Sequence, residues 1–360
     1  MMSLLNLFVR ALLFWLSLFE LLAGWRGWRG LSWFGGSRRL LLPLPTIALW
    51  GMRVGWVWKA TSLILAMPLA LVVQVAASSL RNRRHDPRLR LRPGPHNDRD
   101  VEELRIPMPE GYLPALHLVP RSGAMAAVCV LHGSGDHKTA YTWWLAGALL
   151  EHGLAVLLVD LDGHGENPRA QSFPEMTEDV LVAAQWLRER YAGVGVLGIS
   201  LGGCVAARAA ADGADIDALV VLEAPPLLSF SRADMRREAQ ALARLHLLDL
   251  FRDCTVEQLV GTWTSAPIRA RISTWDLIAA LDLLGSLPRV GMPTLLLYGA
   301  NDAIVKPAQA EQVRRVAPPN ARFRLVARAS HLTLILDREV LWEIGEWLAG
   351  VLTQNVKRKT

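Results

Sequence analysis

The sequence of 360 residues predicts an α/β domain built on a mostly parallel sheet and preceded by a membrane-anchoring region. Three observations predict this. From Val101 onward, short β-branched runs alternate with longer stretches at helical spacing, the pattern of strands buried on both faces and separated by helices. Between Pro225 and Pro293 the alternation stops and the chain reads as helix alone, so an all-helical insertion is expected between two strands. Finally, hydrophobic residues make up 52% of the chain and seven of its 14 Trp lie in the first sixty residues, an apolar excess that a soluble core does not require.

The N-terminal elements follow from that excess. Leu4 to Gly24 is apolar apart from Asn6, Arg10, Ser17 and Glu20, which share one helical stripe. A spanning helix would turn that stripe toward another helix, whereas a helix lying in the interface would turn it to water. No small-residue cleavage site follows and a second apolar stretch comes soon after, which argues against a signal peptide. Leu40 to Trp58, interrupted by Pro43, Pro45 and Arg53, reads as interfacial or re-entrant. Thr61 to Ser79 carries no charge and has the length of about twenty residues that a bilayer core demands, with Pro68 tolerable inside it. Arg81 to Arg99 is rich in Arg, Pro, Asn and Asp, a linker composition. The expected division is a membrane-anchoring region over 1–80, a basic linker over 81–100, and an α/β domain over 101–355 with a helical cap at about 226–288.

The net charge is +6, and six of the arginines (81, 83, 84, 88, 90 and 92) lie just after the uncharged stretch, against four (26, 29, 38 and 39) in the earlier link from Trp25 to Arg39. Basic residues beside an apolar span meet lipid headgroups and set topology, which puts the C-terminal domain in the cytoplasm. The chain has no nucleic-acid-binding motif, so nucleic acid is not an expected partner. Cys129, Cys204 and Cys254 are odd in number and widely spaced, forming neither a disulfide framework nor a zinc site. A reducing compartment suits them.

Within the α/β region, Glu103 to Ile106 and Ala115 to Val119 flank Pro-Glu-Gly as an antiparallel pair. The expected further strands are Ala126 to Leu131, Ala155 to Val159, Gly195 to Ile199, Ala218 to Leu222, Thr294 to Tyr298 and Phe323 to Ala327. The insertion reads as helices over Arg232 to Leu248, Val256 to Trp263 and Trp275 to Leu287.

The chemistry starts at Gly198-Ile199-Ser200-Leu201-Gly202-Gly203, which follows a strand and opens an Ala-rich helix. A Ser held at such a turn is strained, and Gly198 and Gly202 leave the turn room to close. A bare G-x-S-x-G arises by chance in roughly one chain of this length in ten, so its strand-to-helix setting carries the weight. A serine hydroxyl needs a base, and the base needs an orienting acid. In this architecture acid and then His follow the nucleophile, each in a loop after a strand. Asp302 and His331 meet that order, His331 being the only His after Asp302. His132-Gly133-Ser134-Gly135 leaves a strand as well, and its Ser134 amide together with that of Leu201 would hold a developing oxyanion. Cys204, one turn into the helix, reads as inert packing. Asp136 and His137 read as solvated loop residues at the mouth of the site.

Taken together, His132-Gly133-Ser134-Gly135-Asp136-His137, Asp160-Leu161-Asp162-Gly163-His164-Gly165, the Ser200 elbow, Gly299-Ala300-Asn301-Asp302 and Ser330-His331 resemble the monoacylglycerol-lipase and serine-aminopeptidase-like branch of the α/β-hydrolase superfamily. The resemblance covers roughly Val101 to Leu352. It implies a cofactor-free, metal-free esterase, lipase, thioesterase or amidase with a helical cap, and a structural role for His164. It leaves the substrate to the cap. One departure stands out: Glu166-Asn167 follows the second motif where the family usually has a small polar residue. The expected activity is hydrolysis of carboxylic esters, from small molecules to lipids, through an acyl-Ser200 intermediate. An aminopeptidase would need an acidic cap residue, such as Glu223 or Asp234, aimed at a free amine. A non-catalytic membrane protein serving as a partner platform would have no need of these motifs together.

Overall fold

A computed structural model describes residues 2–25, 55–85, 99–138, 142–252 and 268–359. The chain divides into two compact units, Met1–His96 with Leu248–Trp263, and Asn97–Leu247 with Thr264–Thr360.

In the first unit, helix α1 (Met2–Trp25) packs against helix α2 (Trp56–His85). The Trp15 indole donates to the Leu63 carbonyl at 2.8 Å, and the Gln74 amide donates to Glu20 at 3.3 Å. Because Trp15 meets Leu63 and Glu20 meets Gln74, the two helices run in the same direction. The polar stripe of α1 divides along its length. Ser17 and Glu20 are buried in the helix pair, while Asn6 is exposed and accepts from Arg10 at 2.9 Å. Helix α2 contains Pro68 and runs on to His85, past the linker start expected at Arg81. Arginine propagates a helix well, so the basic composition by itself does not end one. The expected segment Leu40 to Trp58 lies outside the described residues up to Val54, and its last three residues open α2.

The second unit carries an eight-stranded sheet in the order β1-β2-β4-β3-β5-β6-β7-β8. The strands are β1 (Arg99–Pro107), β2 (Tyr112–Pro120), β3 (Ala126–Leu131), β4 (Ala155–Val159), β5 (Gly193–Ile199), β6 (Ala218–Leu222), β7 (Thr294–Gly299) and β8 (Ala321–Val326). Strand β2 is antiparallel to both its neighbours, and every other pairing is parallel. Strands β3 to β7 are buried along their whole length, as apolar runs covered on both faces must be. Helices α3 (Thr142–Glu151), α4 (Met176–Arg188), α5 (Leu201–Ala211), α9 (Pro307–Val316) and α10 (Arg338–Lys359) accompany the sheet.

From β3 the chain goes to β4 on one side and then crosses to β5 on the other. Such a reversal opens a crevice at the carboxyl ends of the strands. The paired ends Leu131 with Gly198, Ile199 with Leu222, and Gly299 with Val326 deliver the loops after β3, β5, β6, β7 and β8 to that edge.

The regular elements described in the insertion between β6 and β7 are helices: α6 (Arg232–Arg252), α7 (Thr274–Leu281), α8 (Leu283–Ser286) and a 3-10 turn at Leu287–Arg289. The expected helix Val256 to Trp263 lies outside the described residues. The expected continuous helix Trp275 to Leu287 is broken at Asp282, whose φ is 45° and whose carboxylate accepts from the Gly285 amide at 3.0 Å. One residue thus ends α7 in the left-handed region and caps α8. The returning leg is fastened by backbone bonds: the Gln171 amide donates to the Arg269 carbonyl at 2.7 Å, and the Arg271 amide donates to the Gln171 carbonyl at 2.9 Å.

Candidate active site

Ser200 sits between β5 and α5 with φ 51° and ψ −114°, a conformation that L residues avoid. The fold enforces it by crowding. A Cβ on Gly198 would lie 2.2 Å from the Gly202 carbonyl oxygen, and one on Gly202 would lie 2.6 Å from the carbonyls of Leu131 and His132. Only glycine fits either place, so the elbow is pressed directly against the end of β3.

The loops after β7 and β8 bring two more groups to Ser200. His331 Nε2 is 3.1 Å from Ser200 Oγ, and its Nδ1 is 2.8 Å from Asp302 Oδ2. The other carboxylate oxygen of Asp302 accepts from the amides of Ile304 and Val305, both at 2.7 Å. An Asp anchored this way fixes the ring, leaving Nε2 to face the hydroxyl. Asp302 is buried and the His331 side chain is 12% exposed, so water reaches the ring from one side.

The loop after β3 carries His132, Gly133, Ser134 and Gly135. His132 is buried, with Nε2 accepting from the Leu161 amide at 3.1 Å and Nδ1 at 2.8 Å from the Gly133 carbonyl. Because Leu161 supplies a proton to Nε2, the ring's own proton sits on Nδ1 and is donated to Gly133. Burial, then the neighbouring His164, pushes the His132 pKa down to about 3, which keeps this neutral tautomer. His132 therefore ties the Gly133–Gly135 loop to the exit of β4. A Cβ on Gly133 would lie 3.5 Å from Ser200 Cβ, and Gly135 has a φ of 82°. Ser134 is exposed beside the elbow, and Leu201 opens α5, where the first amides of a helix have no intrahelical acceptor.

The family model described as serine aminopeptidase, S33 matches residues 122–339. The chain belongs to this family of α/β-hydrolases. This S33 hydrolase is 29% identical to a pimeloyl-[acyl-carrier protein] methyl ester esterase of Serratia marcescens over 240 residues, which cover 57% of the chain and 87% of the relative. It is 24% identical to a monoglyceride lipase homolog of monkeypox virus over 270 residues, 66% of the chain and 94% of the relative. Among solved structures, an esterase of Pyrococcus furiosus matches 71% of the chain and 92% of its own length, with TM-score 0.52 and 19% identity. A thioesterase domain from the curacin biosynthetic pathway matches 69% and 99%, with TM-score 0.52 and 17% identity. Both share the α/β-hydrolase fold of this S33 hydrolase.

The roles of several side chains at the site escape a reading of the sequence. Glu238, from α6, accepts from the Ala303 amide at 2.7 Å and from the Leu332 amide at 3.1 Å. It thus staples the residues that follow Asp302 and His331. Glu223, at the end of β6, is buried with Oε2 3.9 Å from His331 Nδ1. Asp136, expected to be a solvated loop residue, is only half-buried as a residue, yet desolvation pushes its carboxyl up to about 8. That carboxyl, 3.5 Å from the place of a Gly133 Cβ, borders the elbow.

The departure at Glu166-Asn167 also has a physical account. Lys138 is buried and its Nζ pairs with both Asp160 and Glu166 at 2.7 Å, while Asn167 donates to the Asp160 carbonyl at 2.9 Å and to Asp162 at 3.1 Å. Asp160 and Glu166 thus compensate a buried lysine, and Asn167 ties the turn that carries them. His164 is buried, with Nδ1 2.8 Å from the Asp162 carbonyl. Cys204 is buried with its Sγ 3.3 Å from the Pro225 carbonyl, and burial raises its thiol pKa far above the reactive range.

Proposed function

We propose that this protein is a membrane-anchored serine hydrolase that cleaves carboxylic esters through an acyl-Ser200 intermediate. The observation that carries the reading is the hydrogen-bonded chain from Ser200 Oγ through His331 to Asp302, with links of 3.1 and 2.8 Å. His331 Nε2 takes the Ser200 proton as Oγ attacks the carbonyl carbon, and the carbonyl π electrons move to oxygen. The amides of Ser134 and Leu201 receive that oxyanion, each worth about 3 kcal/mol of barrier. The imidazolium, steadied by Asp302, then protonates the departing alkoxide. Water, deprotonated by the same ring, releases the acid in the second half of the cycle.

Relatives named as a methyl ester esterase and a monoglyceride lipase homolog support an ester substrate. The acidic residues that an aminopeptidase would aim at a free amine face other groups of this chain. Asp234 accepts from the Ser231 amide at 2.7 Å and from its hydroxyl at 2.8 Å, and Glu223 lies against the His331 ring.

Membrane attachment rests on the inverted surface of the α1–α2 pair. Leu5, Val9, Trp56, Ile64, Leu65 and Val72 face outward, while Ser17, Glu20 and Gln74 are buried. Large apolar side chains outside, with polar groups buried beside Leu7, Ala11, Ala66 and Ala70, are an arrangement that lipid favours. Residues Trp56–Gln74 are long and apolar enough to cross a bilayer. A lipophilic ester arriving from the membrane is the substrate class this arrangement suits. The arginines after that span favour a cytoplasmic hydrolase unit.

A fluorophosphonate probe tests the nucleophile: the native chain should be labelled and Ser200→Ala should not. Equal labelling of the two overturns the assignment. A panel of p-nitrophenyl esters of rising chain length, set against aminoacyl amides, tests the substrate class, and peak activity on the amides would exclude the ester preference. Labelling of a cysteine introduced between residues 86 and 98 in intact cells with a membrane-impermeant thiol reagent tests orientation, with reaction from outside refuting a cytoplasmic unit.

A further inference from the structure

Glu223 has three features that the fold alone does not call for. It leaves β6 with a φ of 51°, in the left-handed region that glycine normally occupies. Its side chain is buried, yet its Oε1 has no hydrogen-bond partner among the described residues. Its Oε2 lies 3.9 Å from His331 Nδ1, the same nitrogen that Asp302 Oδ2 holds at 2.8 Å. A strained, desolvated and half-satisfied carboxyl is costly to keep and points to function rather than packing.

We propose that Glu223 is a second acid for His331, a positioning residue able to take the Nδ1–H hydrogen bond when the Asp302 carboxylate is removed or turned away. The inference rests on the serine-hydrolase reading and deepens it. Two carboxylates close to one ring in a buried site repel each other, which favours the protonated form of one of them. Asp302 is the better-provided carboxyl, since the Ile304 and Val305 amides donate to it and His331 Nδ1 lies at hydrogen-bond distance. Glu223 keeps the proton: burial, then the charges of Asp302 and Glu238, push its carboxyl well above the usual range, with the Gly299 amide offsetting part. The titratable groups facing it are His331 from the loop after β8, Asp302 and Tyr298 from β7 and its loop, and Glu238 from α6. Removing Asp302 removes the largest repulsive charge and vacates space beside Nδ1. Glu223 can then ionise and close from 3.9 Å to a hydrogen bond of about 2.8 Å by side-chain rotation alone.

The experiment compares Asp302→Ala, Glu223→Gln and the double variant of the full chain on a p-nitrophenyl ester across pH, with Ser200→Ala as baseline. Glu223→Gln alone should lose less than about tenfold in kcat, while Asp302→Ala should stay about 100-fold more active than the double variant. The acid limb of the Asp302→Ala profile should move to higher pH than in the native enzyme, because Glu223 as well as His331 must then be unprotonated. The inference is overturned if Asp302→Ala is no more active than the double variant. An unmoved acid limb in the single variant overturns it equally, so the test stands even where the double variant fails to fold. Failure of the parent reading is separable, since native enzyme and Ser200→Ala would then hydrolyse the ester at the same rate.

Discussion

The carboxylate of Glu238 accepts a 3.1 Å hydrogen bond from the amide of Leu332, the residue that follows His331. Its other oxygen accepts from Ala303, which follows Asp302. A residue of the helical insertion therefore sets the spacing between the loops that carry Asp302 and His331. Glu238→Gln would turn an N–H toward one of these amides. The expected result is a drop in kcat of about tenfold with little change in KM, and a stability loss of about 2 kcal/mol. Steady-state kinetics and urea denaturation check it, and unchanged kcat with lowered stability would show that Glu238 serves the fold alone.

Asp136 predicts an alkaline effect. Its carboxyl titrates at about 8 in the folded chain against 3.8 for a free group, the cause being desolvation. The folded state binds the proton more tightly, so this group's stabilising contribution is complete below the free value and is lost as pH rises toward 8. Ionised, Asp136 would also set a negative charge beside the elbow, where the proposed mechanism builds an oxyanion. Asp136→Asn should flatten both the loss of thermal stability and the fall of kcat/KM approaching that pH. Native and variant profiles that superimpose would contradict it.

Lys138 predicts a large structural penalty. It is 4% exposed and neutralises Asp160, which is fully buried. Lys138→Met would leave a buried carboxylate unpaired and should cost about 3–5 kcal/mol, whereas Lys138→Met combined with Asp160→Asn should recover part of that loss. Denaturant midpoints of the single and double variants provide the measurement. Because Asp160 is held below the usual carboxylate range, against its own burial, by Lys138 and by further hydrogen bonding, the native pair's stabilisation is present above the free carboxylate value. It is lost as pH falls through the lowered one.

Where local chemistry decides a feature, the sequence shows it. Strands β3, β4 and β6 end where their apolar runs end, and Ser200 is marked by glycines whose absence of Cβ the turn demands. Asp302 and His331 were legible through chain order alone, because each follows a strand by a short loop. Asp282 was not, since a single residue in the left-handed region splits a helix whose apolar spacing continues across it. Nor was the orientation of the α1 stripe, which depends on whether a second helix stands beside it.

The amino-acid order by itself thus determined the alternating architecture, the strained serine and the sequence of groups that could activate it, since periodicity, glycine and short loops act over a few residues. Tertiary structure alone decided the roles of Glu223, Glu238 and Asp136. A carboxyl's protonation and partners are set by burial and by groups distant along the chain, such as the Leu332 amide 94 residues from Glu238, and desolvation and Coulomb energies come into being only when the chain is folded.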